Sequence, residues 1–133
     1  MQAMSKFIGI PFVDGGRDFN GCDCWGLSLL LFKELKGIDL PDYKISCDNM
    51  SKIDSKIAEQ RQFWLKITLD ELENNVPALV VMRFNSVTLC NHTGVYIGNS
   101  SFIHTSKRVN SHISSIYSPA WNRRIEGFYI PKM

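Results

Sequence analysis

The chain has 133 residues, is 44% hydrophobic and carries a formal charge of +2. That length suffices for one domain with a buried core and is too short for two ordinary ones, so a single domain over residues 1–133 is expected. Lys and Arg are scattered rather than gathered into a basic run, which argues against nucleic acid as a partner; no stretch approaches the roughly 18 to 20 consecutive apolar residues of a membrane span, so no insertion is expected.

The opening stretch, "MQAMSKFIGIPFVDGGR", holds one Lys and a short apolar patch but no signal-peptide h-region, so no secretory export signal is expected. In "VDGGRDFNG", Asp14-Gly15-Gly16 and Asn20-Gly21 are turn formers that permit positive φ. This loop delivers the chain to a helix predicted over Cys24 to Lys36, with Asp23 as N-cap or first-turn acid and Gly37 as its stop. Trp25, Leu27, Leu29, Leu30, Leu31, Phe32 and Leu35 cover most of its circumference, which marks a central helix. Pro41 breaks the connector "GIDLPDY". Beyond it, Met50, Ile53 and Ile57 recur at helical spacing and Ser51 with Asp54 forms a loose capping box, predicting a surface helix. "TLDELENN" begins with Thr68 three residues before Glu71 and predicts a short helical turn.

From residue 78 the pattern changes to strands. "ALVVMRF", "HTGVYIG", "SFIHT" and "IEGFYIP" are short, rich in β-branched and aromatic residues and separated by Asn, Gly, Ser or Pro, and "SHISSIY" offers another. Helices followed by consecutive strands with short links predict an α+β domain, with an antiparallel sheet of about five strands packed on the Cys24 helix.

Cys24 falls at that helix's N-terminus, where unpaired N–H groups and partial positive charge favour a thiolate, so a pKa below about 8.5 is expected there. The plainer alternative is a cysteine that packs under the sheet. Cys22 sits in the preceding loop without that geometry, and Cys47 and Cys90 read as packing residues. Four cysteines so irregularly spaced do not make a disulfide framework. A zinc set of Cys22, Cys24, His92 and His104 matches none of the usual spacings.

A nucleophilic cysteine needs a base, and the base needs a group that orients it. His92 and His104 flank the turn region Gly98-Asn99-Ser100-Ser101. A tight turn at Asn99-Ser100 shifts their register by about three residues and sets the rings on opposite faces, unless a bulge compensates. The plainer alternative is that each is a structural strand histidine and not a base. His112 has no partner in sequence and is expected to be exposed.

Two stretches carry a family resemblance. "GGRDFNGCDCWGLSLLLFKELKGIDLPDY" resembles the segment around the nucleophile in NlpC-type cysteine endopeptidases, whose Asp-Cys-x-Gly motif is matched by Asp23, Cys24 and Gly26. Trp25 and Leu27 beside that Gly resemble the branch encoded in phage tail-assembly regions. "HTGVYIGNSSFIHT" resembles the second motif, His-x-Gly-Ile-Tyr-Ile-Gly, with a third polar residue at the same distance, and "WNRRIEGFYIP" resembles the closing strand of the phage branch. Nearly all of the chain is covered, in family order.

The resemblance implies a papain-like α+β fold and hydrolysis of an amide bond in peptidoglycan stem peptides, typically between D-γ-glutamate and the diamino acid. By position, Cys24 is the nucleophile, His92 the general base and then acid, and His104 the residue that orients it. Phe12, Asp23 and Trp25 fall in the substrate-binding or oxyanion region; no metal or cofactor is implied. Phe12 stands where the family often has Tyr, and "NNVPALVVMRF" replaces the usual Pro-Gly-Asp turn. There is no cell-wall-binding repeat, so phage tail-tip proteins are the expected partners that bring the chain to the wall, as part of a virion or tail assembly. Two alternatives stand beside this: a structural tail-tip protein with the same fold, and a lipid amidase or acyltransferase.

Overall fold

The computed structural model describes residues 4–132; residues 1–3 and 133, which the single-domain expectation included, lie outside the described residues. Strands β1 (Arg17–Asp18) and β2 (Gly21–Cys22) form a small hairpin ahead of α1 (Cys24–Lys36). In the loop before it, Gly15 takes a positive φ of 78°, whereas Gly21 does not. The helix has its predicted bounds. Asp23 accepts the N–H of Gly26 at one end, and Gly37, with φ 66°, closes the other by donating to the Lys33 carbonyl. Leu27, Leu31 and Phe32 are buried, while Trp25, Leu29, Leu30 and Leu35 are half-buried.

Helix α2 (Met50–Gln60) lies on the surface with no buried residue. Its cap is Asn49, which accepts from the Lys52 N–H, and not the expected Ser51. Asp54 instead accepts the Cys90 N–H at 2.8 Å, tying this helix to the loop before His92. Next comes β3 (Trp64–Ile67), then a 3-10 helix over Leu69–Asn75, entered with the Thr68 N–H donating to Glu71 as expected. After a cis Val76–Pro77 bond follow β4 (Ala78–Met82), β5 (His92–Gly98), β6 (Ser101–Ser106), β7 (Val109–Ser115) and β8 (Ile125–Pro131).

The larger sheet is antiparallel with order β3-β8-β4-β5-β6-β7. The expected α+β architecture is present with six strands rather than five. The additional one is β3, a four-residue edge strand with Leu65 and Lys66 exposed; so short and open a strand has no alternating pattern to announce it.

Strand β4 is buried on both faces, which its unbroken run "ALVVM" suits. Leu79 and Val81 join Val95 and Ile103 against Leu27, Leu31 and Phe32 of α1. Val80 and Met82 join Tyr96, Phe102, Ile67 and Leu72 on the opposite face. Each fully buried side chain of this kind stabilises the fold by about 1.5 to 3 kcal/mol, so the α1 layer and the sheet are held rigidly in register. Among the described residues, no helix is long and apolar enough to cross a membrane.

Candidate active site

The β5–β6 hairpin turns through Asn99 and Ser100, both at positive φ (53° and 62°), the mirror-type turn that a twisted hairpin favours. Gly98 pairs with Ser101, but the next pairs are Tyr96 with Phe102 and Val95 with Ile103, so Ile97 is an extra residue on β5. Without it His104 would stand across from Val95, on the α1 face. With it His104 stands across from Gly94, on the same face as His92 and diagonal to it. The rings meet: His92 Nε2 and His104 Nδ1 are 3.1 Å apart. Gly94 leaves room for this, since a Cβ there would lie 3.0 Å from the His104 Cβ and the Ile103 carbonyl oxygen.

Aromatic rings enclose the pair. Trp121 stacks on His92 with centroids 5.8 Å apart and stands edge-on to His104 at 4.5 Å. Phe84 lies 5.3 Å from His92. His112 is not the exposed, isolated residue expected: it sits half-buried across the β6–β7 ladder from His104, with ring centroids 4.5 Å apart. Ser114 Oγ is 2.9 Å from His104 Nε2. Burial pushes His92 down to about 4, with His112 adding to the effect. Burial, then His92 and His112, push His104 down to about 2. Both rings are therefore neutral at neutral pH.

Cys24 opens α1 and is set in place by Asp23. The Asp23 Oδ1 accepts from the Gly26 N–H and Arg17 Nη1, each at 2.8 Å, and Oδ2 accepts from the Gly15 N–H at 2.9 Å. Both oxygens are thus occupied in capping the helix and clamping the preceding loop. Arg17 also forks onto Asp42, with both contacts at 3.0 Å. The Cys24 carbonyl accepts from Ser28 Oγ at 3.1 Å and Thr93 Oγ1 at 3.4 Å. Thr93 thus anchors the backbone of Cys24 to β5, one residue from His92.

The expected lowering of the Cys24 thiol pKa is reversed. Burial and then the Asp23 carboxylate push it up, against hydrogen bonds from Thr93 and the Trp25 N–H. The magnitudes explain the outcome: a helix terminus contributes about 0.3 to 1 kcal/mol, under one pKa unit, whereas burial can shift a group by about 3 to 5 units. The other thiols are raised as well. Burial takes Cys22 to about 12, and burial with Asp14 takes Cys47 to about 11. Cys90 is buried beside Arg61, whose Nη2 lies 3.9 Å from its sulfur.

Trp25 donates from Nε1 to the Pro41 carbonyl at 2.9 Å and stacks on Tyr43. With Cys24, Tyr43, Ile53, Ile57 and Trp64 it lines an apolar cavity of about 80 Å³. Phe12 is half-buried, and its backbone bridges to Cys22, two residues before Cys24.

The model of the NlpC/P60 family matches residues 9–129. The chain belongs to the NlpC/P60 family. Among its relatives, the probable endopeptidase NlpC homolog of Haemophilus influenzae is 34% identical over 119 residues, 90% of this chain and 54% of that protein. The murein DD-endopeptidase MepS/murein LD-carboxypeptidase of Escherichia coli K12 is 28% identical over 93% of this chain and 57% of its own length. The gamma-DL-glutamyl hydrolase of Bacillus subtilis 168 is 31% identical, matching 99% of this chain and 30% of that protein. The chain thus spans little more than half the length of the first two. Among solved structures, an NLP/P60 lipoprotein-like protein of Staphylococcus aureus Mu50 superposes with a TM-score of 0.67 at 21% identity, over 96% of this chain and 38% of that one. The NlpC/p60 domain of the peptidoglycan hydrolase SagA gives 0.62 at 20%, over 96% and 92%. These likenesses establish the papain-like α+β fold.

Four residues around the candidate site of this NlpC/P60 chain escaped sequence reasoning: Thr93, His112, Ser114 and Trp121. Thr93 carries a usable signal, because it adjoins His92 in the quoted motif. The other three depend on the β6–β7 register and on the turn ahead of β8, neither of which leaves a local pattern.

Proposed function

We propose that this chain is a Cys-His-His hydrolase that cleaves an amide bond in peptidoglycan stem peptides, the bond between D-γ-glutamate and the diamino acid. One observation carries the reading: the buried His92–His104 pair begins on β5 one residue from Thr93, whose hydroxyl donates to the backbone carbonyl of Cys24. The names of the relatives, two endopeptidases and a gamma-glutamyl hydrolase, support the substrate class.

This mechanism requires the tautomers in which His92 Nε2–H donates to His104 Nδ1 and His104 Nε2–H donates to Ser114, across contacts of 3.1 and 2.9 Å, which leaves His92 Nδ1 as the base. Because thiol and imidazole both rest neutral, the proton moves as the sulfur attacks. His92 takes it, the sulfur bonds to the carbonyl carbon, and N–H groups at the start of α1 hold the oxyanion. The tetrahedral adduct expels the amine, which receives the proton from His92. Water, deprotonated by His92, then cleaves the thioester and restores the thiol. His104 stays neutral throughout and braces the imidazolium. Incubation with muropeptides and mass spectrometry, with Cys24→Ala and His92→Ala controls, tests this; unchanged muropeptides would favour a structural protein that keeps the fold.

The assignment to a phage tail tip, acting at the wall with tail proteins as partners, rests on the Trp25-Gly26-Leu27 and "WNRRIEGFYIP" resemblance. Mass spectrometry of purified tails tests it, and absence of the chain sinks it. The apolar cavity beside Cys24 favours a second reading, transfer or hydrolysis of an apolar acyl group. A radiolabelled acyl donor that leaves no thioester on Cys24 would dispose of that.

A further inference from the structure

Three of the chain's six arginines, Arg83, Arg123 and Arg124, line one open depression with Asn85, Ser86 and Val87. Among the described residues no acidic side chain lines it. Among the described residues none of the three has a carboxylate partner, whereas Arg17 is paired with Asp23 and Asp42, and Arg61 with Glu126. The Arg83 N–H donates to the Arg124 carbonyl at 2.8 Å, so the end of β4 and the turn ahead of β8 hold two of these side chains on adjoining backbone. Clustered like charges oppose folding unless something balances them, and a concave patch of one sign concentrates the opposite ion.

The depression abuts the histidine pair through two aromatic rings. The Arg124 guanidinium carbon lies 5.4 Å from the Trp121 centroid and 5.9 Å from that of Phe84. The same rings lie 5.8 and 5.3 Å from His92. We propose that this depression is an anion subsite that takes a carboxylate on the amine side of the scissile bond. The assignment of side rests on the hydrolase reading above: His92 protonates the leaving amine, so what lies beyond His92 faces that fragment. Guanidinium forks bind carboxylates in two-point fashion, which a lysine ammonium on the substrate cannot satisfy. The subsite therefore selects stem peptides whose diamino acid carries a second carboxylate over those built on lysine.

Calorimetry on the full chain carrying Cys24→Ala tests this with two peptides, L-Ala-γ-D-Glu-diaminopimelate and L-Ala-γ-D-Glu-L-Lys, each amidated at the α-carboxyl of its last residue so that only the first keeps a carboxylate beyond the scissile bond. The first is expected to bind about tenfold more tightly, and the difference to vanish in the Arg83→Gln/Arg123→Gln/Arg124→Gln variant, whose circular dichroism verifies folding. Equal affinities, a difference that survives the three substitutions, or no binding of either peptide overturns the proposal. Tighter binding of glycerol phosphate than of either peptide also overturns it, in favour of a wall-polymer phosphodiester. Cleavage of both peptides by the unmodified chain is measured in parallel. Cleavage with equal affinities removes the subsite and keeps the hydrolase, while selective binding without cleavage does the reverse.

Discussion

The backbone of Gly26 lies against the Gly16 carbonyl oxygen so closely that a Cβ at position 26 would fall 2.1 Å from it. This is the physical requirement behind the Gly of the Asp-Cys-x-Gly motif: the loop must press onto the first turn of α1 for Arg17 and Gly15 to reach Asp23. Within a helix, Gly→Ala ordinarily stabilises by about 1 kcal/mol. Here the sign reverses, because the obstructing atom is backbone and cannot rotate away. Gly26→Ala is expected to lose about 1 to 3 kcal/mol in urea unfolding; a gain in stability would show that the loop is free to move.

Asp23 raises the Cys24 thiol while holding its helix in place, so its removal has two opposite effects. Asp23→Ala loses the cap and leaves Arg17 without its buried partner, a loss of about 2 to 4 kcal/mol. Asp23→Asn keeps an oxygen for the Gly26 N–H and removes the charge. Its Cys24 is expected to react with iodoacetamide at lower pH than the unmodified protein, since the carboxylate is the second cause of the raised thiol. A profile unchanged by Asp23→Asn would mean that burial alone sets the thiol.

What could be read in advance divides along local and non-local lines. Helix α1 was legible to the residue because Asp23 and Gly37 are local signals that act within one turn. Thr68 with Glu71 was legible for the same reason. The Ser51–Asp54 box failed because Asn49 offered an equal cap two residues earlier and Asp54 found a long-range partner in the Cys90 N–H. The histidine pair was legible as a condition only. Sequence showed that a bulge was needed, but its placement at Ile97 follows from packing β5 and β6 onto two core layers. Trp121 and the arginine depression lie beyond such reading, for they are assembled by the turn that brings residues 121–124 against the end of β4.

Gly94→Ala is expected to separate stability from activity. The new methyl meets the His104 Cβ, the Ile103 carbonyl oxygen and the Phe102 ring at 3.0 Å, tight enough to require a shift of a few tenths of an ångström. The His104 Cβ and the Ile103 carbonyl oxygen are both fixed to the β6 backbone, so β6 itself must shift, and it carries His104 out of line with His92. The hydrolase reading then expects kcat to fall by about tenfold or more with little change in KM, and unfolding to lose about 1 to 3 kcal/mol. A variant with reduced stability and full kcat would show that the His92–His104 contact does not govern the reaction.

Acid should act on the fold through the same two rings. His92 is held at about 4 and His104 at about 2, both below the ordinary imidazole value of 6.5. Between about pH 6.5 and 4 the unfolded chain binds protons that the folded chain refuses at both positions, so stability falls as pH falls through that window; below about 4, His104 alone continues the trend. Melting temperatures from pH 7 to 4 are expected to decline, and His104→Asn, whose amide can still accept from His92 Nε2–H, should flatten the slope by removing one titrating group. Activity supplies an independent reading of the same physics. With His92 as base, the acid limb of kcat/KM belongs near 4 in the free protein, well below the usual histidine range. A limb near 6.5, unmoved by His104→Asn, would mean that His92 is solvated when it reacts and that the buried pairing is not the working arrangement.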